Sequence, residues 1–228
     1  MQTSRKKAGF WRAAAPQRFR GAILGGGALL LASALPVPAQ KSLEALAQPG
    51  IQDLTASVAV LSKNDRELAK IGKGFVDAYR LDKQEMWAKE PGKFLFQGKQ
   101  GIFTIRYVTN GGRKLTEVAT LRIRKVEDVS KEPGKADSLA DLGLITTSFA
   151  EQIEASWLRS EARDGKTLQV FQYWFPEDPR SKHTIWVDPA TRTMVEHIAH
   201  HRNPNRPGFK KKFVFREPKQ YGAIWAPT

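Results

Sequence analysis

The chain contains no cysteine. A disulfide scaffold and a thiolate metal site are therefore excluded, and stability has to come from burial. Acidic residues are missing from the whole N-terminal stretch: none precedes Glu44, although Lys and Arg together number 37. Histidine is scarce, with four residues confined to positions 183–201. Among the chemistry-bearing motifs, a Gly-Lys-Ser/Thr phosphate loop is absent, since Gly25-Gly26-Gly27 and Gly72-Lys73-Gly74 lack its ending. There is no nucleophile elbow either. Glu151 and Glu154 share one helix turn, as surface carboxylates commonly do. Nothing in the sequence points to an enzyme, a cofactor or a resident metal, and the expectation is non-enzymatic.

What is present begins with an export signal. Arg5, Lys6, Lys7, Arg12, Arg18 and Arg20 precede an apolar run from Ala22 to Val37, which ends in Val37-Pro38-Ala39. A basic start, a short apolar centre and a small-residue exit make a cleavable secretory signal over residues 1–39. A membrane anchor would need about 20 apolar residues, and this run is shorter and broken by Gly25-Gly26-Gly27 and Pro36. Ser4-Arg5-Lys6 lacks the second arginine of a twin-arginine signal, so the general secretory route is expected. The signal takes six of the 37 basic residues and none of the 23 acidic ones, which lowers the formal charge from +14 to +8. The remainder, residues 40–228, reads as one domain, periplasmic or otherwise extracytoplasmic. It has no cysteine to acylate, so it is expected to be soluble and monomeric. Its positive charge favours anionic partners, while its compartment argues against nucleic acid.

Along that domain, Leu54, Val58 and Leu61 recur at helical spacing and predict a helix over 43–72, broken at Pro49-Gly50 and recapped by Asn64 or Asp65. From Phe75 the pattern turns to strands, at 75–89, 93–97 and 102–109, with Asn110-Gly111 as a hairpin turn and Leu121 and Ile123 on a return strand. Residues 130–141 are polar and predict a surface loop. Capping pairs Ser138/Asp141 and Ser148/Glu151 predict one or two short helices in 139–153. Hairpins follow at 155–175 through Asp164-Gly165 and at 184–201 through Asp188-Pro189, then a last strand at 209–216. Leu168, Val170 and Trp174 alternate with Phe171, Tyr173 and Phe175, so this strand is expected to be covered on both faces.

Two polar clusters stand out. His197, His200 and His201 would suit a metal only on a helix; as a strand, the segment sends His200 to the face opposite the other two. Lys210, Lys211 and Lys212, with Arg202 and Arg206 nearby, form a basic patch that could dock an anionic membrane or an acidic partner.

Three segments carry a family resemblance, in order along the chain. Trp87-Ala88-Lys89-Glu90-Pro91-Gly92-Lys93-Phe94 looks like a characteristic strand–turn–strand. Ile185-Trp186-Val187-Asp188-Pro189-Ala190-Thr191 resembles a late turn, and Gly222-Ala223-Ile224-Trp225-Ala226-Pro227 resembles a closing segment. Together they resemble the outer-membrane lipoprotein-carrier (LolA/LolB-like) superfamily. The resemblance implies an α+β fold: a curved antiparallel sheet forming an incomplete, half β-barrel, covered on its concave side by short helices. It implies a carrier or sensor that binds lipid acyl chains, most concretely those of lipoproteins, and meets membrane donor and acceptor proteins. The cavity would be lined by Trp87, Phe94, Phe96, Phe103, Tyr107, Leu121, Phe149, Ile153, Trp174 and Trp186, with Lys210, Lys211 and Lys212 as the docking residues. The alternative is an envelope interaction module that docks a membrane or protein partner through its basic face and holds no ligand.

Overall fold

A computed structural model describes residues 42–71, 76–77, 79–200 and 210–227. The stretch expected to be an export signal, residues 1–39, and Gly72-Lys73-Gly74, Phe75, His201, Arg202, Arg206 and Phe209 lie outside these. Residues 38–228 cluster as one compact unit.

The chain is built mostly of antiparallel strands. Six form the first sheet in chain order: β1 (Asp53–Val58), β2 (Asp82–Lys89), β3 (Lys93–Gln100), β4 (Phe103–Asn110), β5 (Arg113–Val118) and β6 (Ile123–Asp128). Five form the second, also as chain neighbours: β7 (Glu154–Arg163), β8 (Lys166–Phe175), β9 (Asp178–Asp188), β10 (Thr193–His200) and β11 (Lys210–Val214). A hairpin of β12 (Lys219–Tyr221) and β13 (Ile224–Ala226) ends the chain. Among the described strands, the ladder is thus interrupted between β6 and β7. Residues 129–153 cross that gap as two 3-10 turns, Pro133–Lys135 and Leu139–Leu142, and a short helix. Two α-helices lie wholly within the described residues, α1 (Asp65–Ile71) and α2 (Thr147–Glu151).

The first correction concerns residues 43–72, expected as a short leading helix and a longer one on either side of Pro49-Gly50: the leading one is a 3-10 turn at Glu44–Leu46, and the longer one gives way to strand β1. Leu54, Ala56 and Val58 alternate half-buried with exposed neighbours and lie opposite Ala88, Met86 and Gln84 of β2. The i, i+4 spacing of Leu54 and Val58 is also an even spacing, so it fits a strand face equally well, and pairing with β2 decides the outcome. Among the described residues of this stretch the α-helix is restricted to α1, where the Asn64 side chain accepts a hydrogen bond from the Glu67 amide at 3.2 Å. A second correction shortens the long strand predicted from Phe75: residues 76–77 are helical and β2 starts at Asp82. The third concerns residues 130–141, whose Leu139 and Ala140 are buried rather than part of a surface loop. There the Ser138/Asp141 capping box forms as expected. For α2 the cap is Thr146, whose hydroxyl accepts from the Phe149 amide at 3.1 Å, instead of Ser148.

Three apolar clusters result. The largest packs Phe171, Tyr173 and Phe175 of β8 and Ile185 and Val187 of β9 against Phe149, Ala150, Ile153 and the N-terminal Leu43 and Leu46. The second joins Met86, Ala88 and Phe94 of the first sheet to Ile51, Leu139 and Leu144. The third lies across β8, on the face turned away from Phe171: Leu168, Val170 and Trp186, with Val195 and Ile198 against them. The two-sided cover expected for β8 is found. Trp186 is roofed by charge, with its Nε1 donating to Glu161 at 3.1 Å and the Arg163 guanidinium 5.3 Å above its ring. That indole bond, with Arg163 and Arg159, holds the Glu161 carboxyl down to about 2.

Candidate functional site, a cavity between the two sheets

A cavity of ≈860 Å³ opens where the ends of β2–β5, the 129–142 crossing and the buried face of the second sheet meet. Its first wall is Ala88, Phe94 and Thr109, with the turns Pro91–Gly92 and Gly111–Gly112 at the rim. These turns are tied together by a hydrogen bond from the Gly111 amide to the Gly92 carbonyl at 2.9 Å. Gly111 sits at φ +56°, a backbone setting that suits glycine. Leu139, Ala140 and Phe149 close one side, and Tyr173, Phe175 and Phe213 of the second sheet face them. Aromatic rings meet edge to face there, with centroids 5.4 Å apart for Phe149–Tyr173 and 6.5 Å for Phe149–Phe175.

Three polar groups interrupt the apolar lining. At the first, Lys114 bridges Asp137 at 2.7 Å and Thr109 donates to the same carboxylate at 3.1 Å, which pins the crossing segment to the sheet. At the second, the Glu90 carboxylate accepts hydrogen bonds from the Ser148 and Thr146 hydroxyls. The third joins three strands: the Tyr173 hydroxyl and the His183 Nδ1 lie 3.3 and 3.0 Å from the His197 Nε2. His183 stacks on Tyr173 at 4.6 Å and Phe213 on His197 at 5.5 Å. Burial, reinforced by His183 and His200, pushes the His197 imidazole down to about 3, so it is neutral at physiological pH. Burial likewise raises the Tyr173 phenol, helped by Asp141. It lowers the Lys211 ammonium, against an opposing pull from Asp141. Among the described residues, no three His, Asp or Glu side chains converge as metal ligands.

Of the ten residues expected at the cavity, Phe94 and Phe149 line it. Phe96, Phe103 and Tyr107 share Phe94's face of the first sheet by register, with Phe96 and Tyr107 rings 6.2 Å apart. Leu121 is half exposed in the turn before β6, and Ile153 belongs to the largest core cluster. Trp87 takes the opposite face of the first sheet, in a row with Leu95, Val108, Leu115 and Val126. Trp174 and Trp186 point away from the cavity, where Trp174 donates to Glu154 at 3.0 Å beneath the Lys182 ammonium. The three lysines do not form one patch. Alternation along β11 turns Lys211 into the cavity, whereas Lys212 bridges Glu196 at 2.9 Å on the other face. His200 takes the strand face opposite His197, as expected, and meets Thr184 at 3.2 Å.

The sequence reading did not single out Glu90, Ser148, Lys114, Asp137 or His183. His183 was hidden by a register shift: counting back from the Asp188-Pro189 turn sets it opposite Ile198, and the bulge between Met194 and Glu196 moves its partner to Ala199 and brings it onto the face of His197.

No family model matches the sequence, and no curated protein matches it. Among solved structures the chain is similar to a putative outer membrane lipoprotein-sorting protein domain from Vibrio parahaemolyticus, with 15% identity and a TM-score of 0.45, over 63% of this chain and 66% of that one. It spans just under two thirds of that domain's length. It is also similar to a DUF1329 family protein from Desulfovibrio piger, at 12% identity and a TM-score of 0.47, over 64% and 68% of the two chains. The third is the lipoprotein LppX of Mycobacterium tuberculosis, at 13% identity and a TM-score of 0.29, over 71% and 84%. No activity is carried over from likenesses this distant.

Proposed function

We propose that this protein is an extracytoplasmic carrier or sensor that holds the acyl chain of a lipid or lipoprotein in the cavity between its sheets. One observation carries the reading. The cavity, at ≈860 Å³, joins aromatic and aliphatic walls from both sheets, and ligand sites of this kind span about 300–1,000 Å³ and are mostly apolar. Phe96, Phe103 and Tyr107 extend the same apolar face beyond it. Burying an acyl chain there would stabilise the complex by about 0.8 kcal/mol per CH₂, without covalent chemistry. The export signal read at 1–39 supplies the compartment. In this reading, the lid of the half-barrel is the 129–153 crossing.

The test is native mass spectrometry of the protein purified from its own compartment, with displacement of an apolar fluorescent probe. Retained lipid, lost on Ala136→Trp or Phe213→Glu, supports the carrier. A bare mass and no probe binding by the folded protein would sink it. A second reading, an interaction module, has the row Trp87–Leu95–Val108–Leu115–Val126 behind it, since Val126 is 58% exposed. Loss of partner or vesicle binding in Leu95→Glu, with probe binding intact, would favour that one.

A further inference from the structure

Inside the cavity, polar side chains are not scattered evenly. Those of β9, β10 and β11 that face it include two imidazoles and an ammonium, from His183, His197 and Lys211. His183 and His197 are within hydrogen-bond distance of each other, and Lys211 lies across from Ala199, two residues along β10 from His197. We propose that this wall receives the acidic headgroup of the bound amphiphile, a carboxylate or a phosphate, while the Phe94, Phe149 and Phe175 side takes the chain. The proposal rests on the acyl-chain reading of the same cavity and adds to it the charge of the ligand's polar end.

Geometry and charge both support it. An anion needs N–H donors, and stacking on Tyr173 and Phe213 holds the two rings in place. His183 is half-buried, so one of the pair remains within reach of the cavity. Burial disfavours charge on His197 and on Lys211. An anion placed beside them opposes that penalty, so binding favours proton uptake on this wall and strengthens as pH falls. The groups that face this wall from its neighbours are Tyr173 on β8, Asp178 at the start of β9, Asp141 on the Leu139–Leu142 turn, and His200 with Lys210 beyond the strand edge. The Asp141 carboxylate acts on both Tyr173 and Lys211. Across the cavity, Asp137 is neutralised by Lys114, and Glu90 is engaged with Ser148 and Thr146.

The experiment titrates the full chain with dodecyl sulfonate, which keeps its charge throughout, and with dodecanol, at pH 5.5 and pH 8. The sulfonate is expected to bind severalfold more tightly at pH 5.5 than at pH 8. Dodecanol is expected to bind equally at both. His183→Gln combined with Lys211→Met, both at half-buried positions, is expected to remove the pH dependence; its persistence there overturns the proposal. Asp141→Asn keeps the pH dependence; its disappearance there would assign the proton to Asp141 and overturn the proposal. Equal binding of both probes at both pH values overturns the headgroup site while the acyl-chain reading stands. Failure of both probes to bind brings down that reading as well. Displacement of the sulfonate by palmitate identifies a carboxylate source and by lysophosphatidate a phosphate source; displacement by neither is a further refutation.

Discussion

His197 shows what one side chain can impose. It is 6% exposed and its pKa is pushed down to about 3, against about 6.5 in an unfolded chain. Between those values the unfolded state binds more protons than the folded one, so folding stability rises with pH across that window and falls as pH drops through it. The contribution reaches at most about 1.4 kcal/mol per pH unit for one group. Urea midpoints measured from pH 4 to 7 are expected to shift downward on the acid side, and His197→Asn is expected to flatten that slope. Gly98 makes a steric demand instead. A Cβ there would lie 2.6 Å from the Leu81 Cβ, a buried side chain. Gly98→Ala is therefore expected to cost about 1–3 kcal/mol in thermal or urea unfolding.

Among the elements, β8 makes the clearest prediction. Phe171 faces the large cluster and Leu168 the small outer one, at 0% and 1% exposure. A strand covered on one side only would tolerate loss on the other. Here Phe171→Ala is expected to cost about 3–5 kcal/mol and Leu168→Ala about 2–5 kcal/mol, both read as urea-midpoint shifts at unchanged slope. This element was legible in the sequence because apolar residues fill both phases of its alternation. Its turn was legible too: Asp164 and Gly165 sit at φ +50° and +75°, the pair of positive values that a type I′ turn needs. The β1 segment was not, because Leu54 and Val58 satisfy both periods and only pairing with β2 chooses between them. Nor was the polar character of the cavity, whose groups come from positions as distant as Glu90 and Ser148. Alternation tells which residues share a face, as it did for Phe94, Phe96 and Tyr107, but not which of two faces meets a second sheet. That is why Trp87, Trp174 and Trp186 were placed with the cavity.

For the whole molecule, the connections across the ladder gap matter more than the ladders. Gln48, 3% exposed, donates to the Trp225 carbonyl at 2.8 Å and to the Arg192 carbonyl at 3.2 Å, and accepts from the Trp225 amide at 2.8 Å. One amide side chain thus joins the beginning of the described chain to its end. Gln48→Ala leaves the Trp225 groups without this partner and is expected to destabilise by about 1–3 kcal/mol. The loss is expected almost wholly in a faster unfolding rate, checked by the two limbs of a chevron plot.

That expectation follows from the order of the strands. Every ladder in both large sheets joins strands consecutive in the chain. Each can therefore zip as soon as its second strand is available, with little loop-closure entropy to overcome. The Gln48 contact, spanning 177 residues, has to wait for the last hairpin. A chain delivered from its N-terminal end would assemble its sheets in sequence, and the contact between Gln48 and Trp225 would close last.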